Sequence, residues 1–594
     1  MRDPPSSPRG AVTAAQRLLD VAVRSTQVVT FRLLWLALLF YGERAIFHDA
    51  ANSCPWPDPP TSSSSSPQKP AVHVLLVTDP QIIDRDTYPD LPSLLYPIVR
   101  HFSDNYLKNV WTSLAVNPNK WFGRGHILPP QQEALRRRSS RAGLVQPPDG
   151  VVWMGDLTDG GRRSHSDAEW AMGAALVHRF HSIFWRPREA DWEAPKSTLS
   201  STKQLIVPRT SASDFIPTFH LSGNHDIGLP GTSSGHRVDA VASDDAIERF
   251  NRDFGLRIDG GGFVVKDRNP FLQSSLNGRI VVSTETTLGA THELVLVNAQ
   301  DLVGMERQGG GPFDSYLSSD HPGQLDGQLG DNAHRAYKHT YDFVESVKRG
   351  GVRVPRVLLT HVPLHRPAGT ACDDAARSVR HRVHRESGRP LHQGTDRGST
   401  YQNMVSASVT DWVLRSIDPL AVFSGDDHDH CEYRHARVGG NASASAVVDG
   451  FKAQEVPELT VKSISMTEGV RKPGFARLSL FSPPFDSSAP HVAIAYTPCL
   501  LPDQIGIWTQ LYLPFFLFTL AGLKLWPRVF KPRSDTAGYL PLNQQRKRDD
   551  DDPPLASERL LGNGHRSGGW RRDVLAVAVT ALPFWAFCQT HFVF

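Results

Sequence analysis

Polar residues of one chemical kind recur directly after short apolar runs: Asp79 and Gln81 in VTDPQ, Asp156 in VVWMGD, and Asn224, His225 and Asp226 in LSGNHD. His361 in LLTHVP and the pair Asp426 and His428 in FSGDDHD complete the set. Carboxylates, imidazoles and amides together are what a pair of divalent cations needs. Two such ions about 3.5–4 Å apart share one carboxylate and can activate water against a phosphate. Asp156 is the candidate for the shared carboxylate, and the oxygen-rich donor set suits Mn2+ better than Zn2+. Two further residues admit two readings each. Arg162, after a double glycine, could clamp a phosphate through its planar fork or form a surface salt bridge. His365, one turn's length past His361, could touch substrate or be a satisfied loop histidine. The glycine run 309–311 is not followed by Gly-Lys-Ser/Thr and is no phosphate loop.

These residues need strands to aim them. AVHVLLV from Ala71, VVWM at 151–154, and runs at 215–221, 293–298, 354–360 and 420–424 are each long enough for a buried strand and too short for a helix. Helical patterns fall at 91–109 and 168–185, so the expectation is α/β, with the polar residues at carboxyl edges, where open sheets build their sites. A last strand is expected near 475–480. Stretches 126–148, 309–330 and 372–400 are polar or Gly-, Asp- and Arg-rich and read as insertions or loops.

Outside this core the composition changes. Residues 1–27 are polar and 28–47 apolar, 48–70 is a Pro/Ser-rich linker, 71–500 is the folded domain, and 505–526 and 574–594 are apolar around a basic loop at 527–573. Three membrane spans are expected, with the amino terminus and the 527–573 loop in the cytosol, because Arg9, Arg17, Arg24, Arg528, Lys531, Arg533, Arg571 and Arg572 then all lie on one side. Arg32 interrupts the first span and is expected to snorkel toward the headgroups. Asn441-Ala442-Ser443 is a glycosylation acceptor triplet on the opposite side. A net charge of +3 gives no basic field for nucleic acid, and five scattered cysteines without a C-x-x-C pair leave room for one disulfide but indicate neither a zinc ribbon nor a dense disulfide framework.

The ordered motifs TDPQ, GDLTDGGR, SGNHDIG, LTHVPL and SGDDHDHCE resemble those of the calcineurin-like metallophosphoesterases. More narrowly, DPQIIDRDTYP, the GG of GDLTDGGR and GDDHDHCE resemble the fungal cell division control protein 1 branch, related to enzymes that remove ethanolamine phosphate from GPI-anchor mannoses. The resemblance covers roughly 71–480. It implies a four-layer α/β/β/α sandwich with flanking transmembrane helices and a site for two divalent metal ions. Asp79, Asp156 and His428 would serve one ion and Asp156, Asn224, His361 and Asp426 the other. His225 would assist the leaving oxygen, with Asp226 orienting its ring. The wider superfamily has His where Gln81 and Asp426 stand, and a gapped register would instead pair His428 with His430 and leave Asp426 structural.

The function implied is a multi-pass enzyme of the endoplasmic reticulum or Golgi membrane, its catalytic domain lumenal, acting on a GPI glycolipid or GPI-anchored protein. The alternatives are a phosphatase acting on another lipid or nucleotide phosphate, and a non-catalytic sorting receptor on the same fold.

Overall fold

The computed structural model describes residues 26–58, 71–85, 87–88, 90–115, 148–161, 174–184, 218–228, 244–254, 263–266, 276–282, 291–308, 331–351, 354–367, 370, 372, 404–405, 407–437, 446–481, 491–529 and 568–590. Arg162, Asn441, the glycine run 309–311 and nearly all of the 527–573 loop lie outside these residues. The chain divides into a unit spanning 47–504 and a second made of 1–46 and 505–594.

The larger unit is built on two sheets. Strands β1 (Ala71–Val77), β2 (Gly150–Met154) and β3 (Thr218–Leu221) run parallel, and β12 (Gly474–Phe481), β13 (His491–Leu500) and β10 (Ala446–Val448) extend the sheet on the far side of β1. The second sheet has the order β4 (Phe263–Lys266), β5 (Gly278–Val282), β6 (His292–Leu296), β7 (Arg356–Leu359), β8 (Ala421–Ser424), β11 (Glu455–Thr460), β9 (Cys431–Ala436), with β6, β7, β8 and β11 parallel. Period-two alternation sends Val72, Val74 and Leu76 of β1 and Leu294, Leu296, Val357, Leu359 and Phe423 of the second sheet into one buried core between the sheets. The alternate residues Val295, Leu358 and Val422 pack outward on Val344, Val347, Val409 and Val413 of the helices Asp331–Arg349 and Ala407–Ile417. On the other outer face, Trp153 meets Trp111, Phe180 and Phe184 from the helices Tyr96–Ala115 and Ala174–Phe184. Four layers result, helix, sheet, sheet, helix.

Three expectations are corrected. The last strand is not the run near 475–480 but β13, a full strand antiparallel to β12. The segment 48–58 is not a free linker: Trp56 stacks on His73, Arg477 lies over Trp56 and donates to the Ala51 carbonyl, and Cys54 is disulfide-bonded to Cys499. A second disulfide, Cys372–Cys431, joins the segment after β7 to β9.

Among the described residues one helix, Gln504–Leu525, is long and apolar enough to cross a membrane; all of it but Gln504 lies in the other unit. Residues 26–40 continue as a helix into a π-helical turn at Tyr41–Ala45, and a third helix spans Gly568–Thr590. The polar residues that break the first and third apolar runs are turned inward. Arg32 donates to the Ala576 carbonyl at 2.9 Å rather than snorkelling, Trp35 to Thr519 at 3.1 Å, and Arg44 to the Cys588 carbonyl. Glu43 accepts from Tyr512 at 2.9 Å and Trp585 at 3.3 Å. Leu33, Leu34, Phe516, Leu517, Phe518, Leu575, Val579 and Leu582 face outward.

Candidate metal centre

The strand ends converge. Asp79 follows β1, Asp156 follows β2, Asn224 follows β3, His361 follows β7, and Asp426 and His428 follow β8. Ligand atoms of Asp79, Asp156 and His428 lie within 4.8 Å of one another, and those of Asp156, His361 and Asp426 do the same. Asp156 is common to both groups. In the second, His361 Nε2 is 3.3 Å from Asp156 Oδ1 and 3.7 Å from Asp426 Oδ1.

Backbone strain marks the same residues. Asp79, Gln81, Asp156, Asp426 and His428 all have positive φ, between 37° and 63°, and Asp418 is the one other non-glycine residue with positive φ among those described. Left-handed backbone costs a side-chain-bearing residue on the order of 1–2 kcal/mol. Such a concentration persists only where the surrounding structure imposes it, as at sites that bind. Gly155 takes φ 103°, and a Cβ there would run into the His361 ring. Gly223 is as confined, since its Cβ would meet the Asp156 carboxylate.

The donor set fits cations, and the fit shows in three groups. The Oδ1 of Asp79 is buried without a hydrogen-bond partner. Asn224 sets its side-chain amide against the second group, 3.1 Å from His361 Nε2 and Asp426 Oδ1 and 3.2 Å from Asp156 Oδ1; its nitrogen there would donate to all three, and its oxygen in the same place would meet a cation. The Nδ1–H of His361 donates to the Met154 carbonyl at 2.7 Å, which leaves Nε2 as the free donor toward the cluster. Gln81 stands in the first group as a hydrogen-bond donor: its Nε2 donates to Asp156 Oδ2 at 3.0 Å and lies 2.9 Å from His428 Nε2. Turned over, the amide would offer Oε1 at the same place.

Charge follows geometry. Burial lowers the affinity of His361 for a proton, but Asp156, Asp79 and Asp426 overcome it and push its pKa up to about 10. Burial opposes ionisation of Asp156, yet His225 and His361 hold its carboxyl below the usual range. Asp79 is raised well above that range, first by burial and then by Asp156 and Asp426. In the metal-free fold the proton on His361 stabilises fully below pH 6.5, and that contribution is lost as pH rises to about 10. A cation must displace this proton. Metal affinity is therefore expected to rise by about tenfold per pH unit toward pH 10 for each proton released. Calorimetric titration with Mn2+ at pH 7 in buffers of different ionisation enthalpy should read at least one proton released per chain; none released would contradict the ligand role of His361.

His225 and its supports differ from expectation. Asp226 does not stand behind the ring. Its carboxylate accepts from the Leu157, Thr158 and Gly223 N–H groups at 3.1, 2.9 and 2.9 Å, pinning the β2 and β3 loops together. Burial and Asp156 push it up to about 6. The carboxylate on the ring is Asp159, whose Oδ1 lies 2.8 Å from His225 Nδ1 beside its own main-chain carbonyl at 3.1 Å from the same nitrogen, while Thr87 donates to its Oδ2 at 2.6 Å. His225 Nε2 then faces Asp156 Oδ2 at 3.9 Å with the side chain partly open to solvent. On the other side, Glu468 Oε2 lies 3.6 Å from His428 Nδ1. Burial and Asp159 push Glu468 up to about 8. Asp159 lies inside GDLTDGGR, so its nearness to the site was readable; Glu468, beyond β11, carried no signal.

The remaining expected residues fall as follows. His365 is half-buried, with its backbone N–H on the Thr410 hydroxyl, and is not among the clustered metal donors. His430 is buried next to Asp429, which bonds its N–H, and Asp426 and His428 are the pair brought into the cluster. Behind them Arg366, fully buried, joins Asp427 and Glu458, tying the loops that carry His361 and Asp426.

No family model matches the chain. It is 25% identical over 518 residues to cell division control protein 1 of Saccharomyces cerevisiae, a match covering 85% of this chain and 76% of that protein. Among solved structures it is similar to the calcineurin-like phosphoesterase YfkN from Bacillus subtilis, at 9% identity and TM-score 0.27, over 76% of this chain and 99% of that one. A second is a protein serine/threonine phosphatase from Saccharomyces cerevisiae with similarity to human phosphatase PP5, at 9% identity and TM-score 0.19, over 79% and 89%.

Proposed function

We propose that the chain is a membrane-anchored, metal-dependent phosphoric ester hydrolase that removes ethanolamine phosphate from a mannose of the GPI glycan. The observation that carries the hydrolase reading is the pair of donor groups sharing Asp156. Asp79, Asp156 and His428 would hold one divalent ion, and Asp156, Asn224, His361 and Asp426 the other, with Mn2+ the expected metal. When bound, the ions polarise the phosphoryl oxygens and make water a nucleophile at neutral pH. The chain's own part is orientation and proton transfer. Asp159 holds the His225 ring by Nδ1, and Nε2 gives its proton to the departing oxygen. His361 is fixed by the Met154 carbonyl, and His428 Nδ1 faces Glu468 Oε2 at 3.6 Å.

The GPI substrate rests on the motif resemblance, and the location on independent features. Two disulfides suit an oxidising compartment such as the endoplasmic reticulum or Golgi lumen. Polar side chains turned inward and apolar ones outward in the 26–46, 505–529 and 568–590 helices are what a bundle of membrane spans requires. In sealed microsomes, added protease should cut the 527–573 loop and spare the catalytic domain; digestion of that domain from outside would overturn both the topology and the substrate.

The activity is tested with the purified full chain on a chromogenic phosphodiester, where Mn2+ should support turnover and a chelator abolish it. No turnover in a metal-loaded protein would favour a non-catalytic receptor. GPI glycans from cells lacking the protein should retain the ethanolamine phosphate. Unchanged glycans beside an active enzyme would point to another lipid or nucleotide phosphate.

A further inference from the structure

Among the described residues of the 47–504 unit, large apolar side chains are exposed at one place: Leu94 at 81%, Leu95 at 43% and Ile98 at 50%. Every other exposed large apolar side chain among the described residues lies in 26–46 or 505–590, the segments read above as membrane spans. Leu94 and Leu95 lie in the turn before the helix Tyr96–Ala115, and Ile98 in its first turn. Beside them Arg100 lies over the Tyr96 ring at 5.7 Å.

The same helix is packed against both chain ends of its unit. Tyr106 donates to the Pro502 carbonyl at 3.0 Å and meets Phe47 edge-on at 5.4 Å. Phe47 and Gln504 are the first and last residues of the unit, where it is joined to the apolar segments. Ile98 precedes Tyr106 by about 12 Å of helix. An apolar turn flanked by an aromatic ring and an arginine, this near to where the chain leaves for its spans, has the composition of an interfacial membrane contact. Three side chains are too few for a second copy of the chain, since a stable interface covers about 800 Å² per partner.

We propose that Leu94, Leu95 and Ile98 insert into the headgroup–acyl boundary of the bilayer and seat the catalytic domain on it. The proposal rests on the membrane reading above. It also gives that reading a consequence for the site. The segment leading into this helix carries Thr87, which holds Asp159, and Tyr88, whose hydroxyl bonds the Thr467 carbonyl beside Glu468. Seating the helix therefore orients the supports of His225 and His428 toward a lipid-borne phosphodiester.

The test uses the full chain in phosphatidylcholine vesicles, in a Cys588→Ser background, with an environment-sensitive fluorophore on Ile98→Cys or, as control, on exposed Ala453→Cys. Brominated acyl chains should quench the label at 98 and leave that at 453 unchanged. Equal quenching at the two positions, in protein that resists alkaline carbonate extraction, overturns the surface contact while the membrane reading stands. Release by carbonate overturns the membrane reading itself. A Leu94→Ser/Ile98→Ser variant should lose on the order of tenfold in kcat/KM on a vesicle-borne phosphodiester and keep wild-type turnover of a soluble one. Equal loss on both substrates, or lipid-independent self-quenching between labelled chains, would also overturn the proposal.

Discussion

Replacing Asp156 by Asn is expected to abolish turnover and to strip at least one divalent ion from the purified chain. Its carboxylate serves both donor groups, with Oδ1 3.3 Å from His361 Nε2 and Oδ2 accepting from Gln81 at 3.0 Å. An amide keeps the shape and loses the charge that two cations require. A structural side effect is expected as well, because Asp156 Oδ1 also accepts the His225 N–H at 2.8 Å. Metal content and turnover measured on the same preparation separate the two: a folded variant with full metal and full turnover would contradict the shared-carboxylate assignment.

His225→Ala is expected to keep both ions and to lose roughly 10²–10⁴ in turnover, the usual worth of one positioned acid–base group. The side chain makes no part of either donor group and stands at the open side of the cluster. Asp159→Asn should lower turnover by a smaller factor and move the acid limb of the pH profile, since it weakens the hold on Nδ1 without removing the ring. Loss of metal from His225→Ala would place that ring among the ligands. A pH profile for Asp159→Asn identical to the wild type would deny Asp159 its role.

How much of this was legible in the sequence depends on strand type. β1, β2, β3, β7 and β8 each pair in parallel with at least one neighbour and are largely buried, and such strands read as unbroken apolar runs whose last residues can be named. The site residues followed from them, because each stands directly after a run. β4, β5, β9, β10, β11 and β13 were not read. They pair antiparallel or at sheet edges, and strands such as CEYRHA and HVAIAYTPCL carry polar residues on a half-covered face. The orienting carboxylates failed for another reason. Asp226 adjoins His225 in sequence, but a four-residue helix from Asn224 to Ile227 turns its side chain back to the β2 loop. Asp159 is 66 residues from His225 and reaches it only because β2 and β3 pair side by side. Adjacency along the chain was the wrong guide there, and adjacency of strand ends the right one. The inward turn of Arg32, Glu43 and Arg44 was hidden in the same way, since each finds its partner on a helix hundreds of residues away.

The central claim is a two-cation site centred on Asp156, and elemental analysis of the full-length protein after dialysis against Mn2+ tests it most directly. The two overlapping donor groups predict two bound ions per chain, falling below two in Asp156→Asn. A wild-type chain that is folded and holds no divalent ion under those conditions would contradict it.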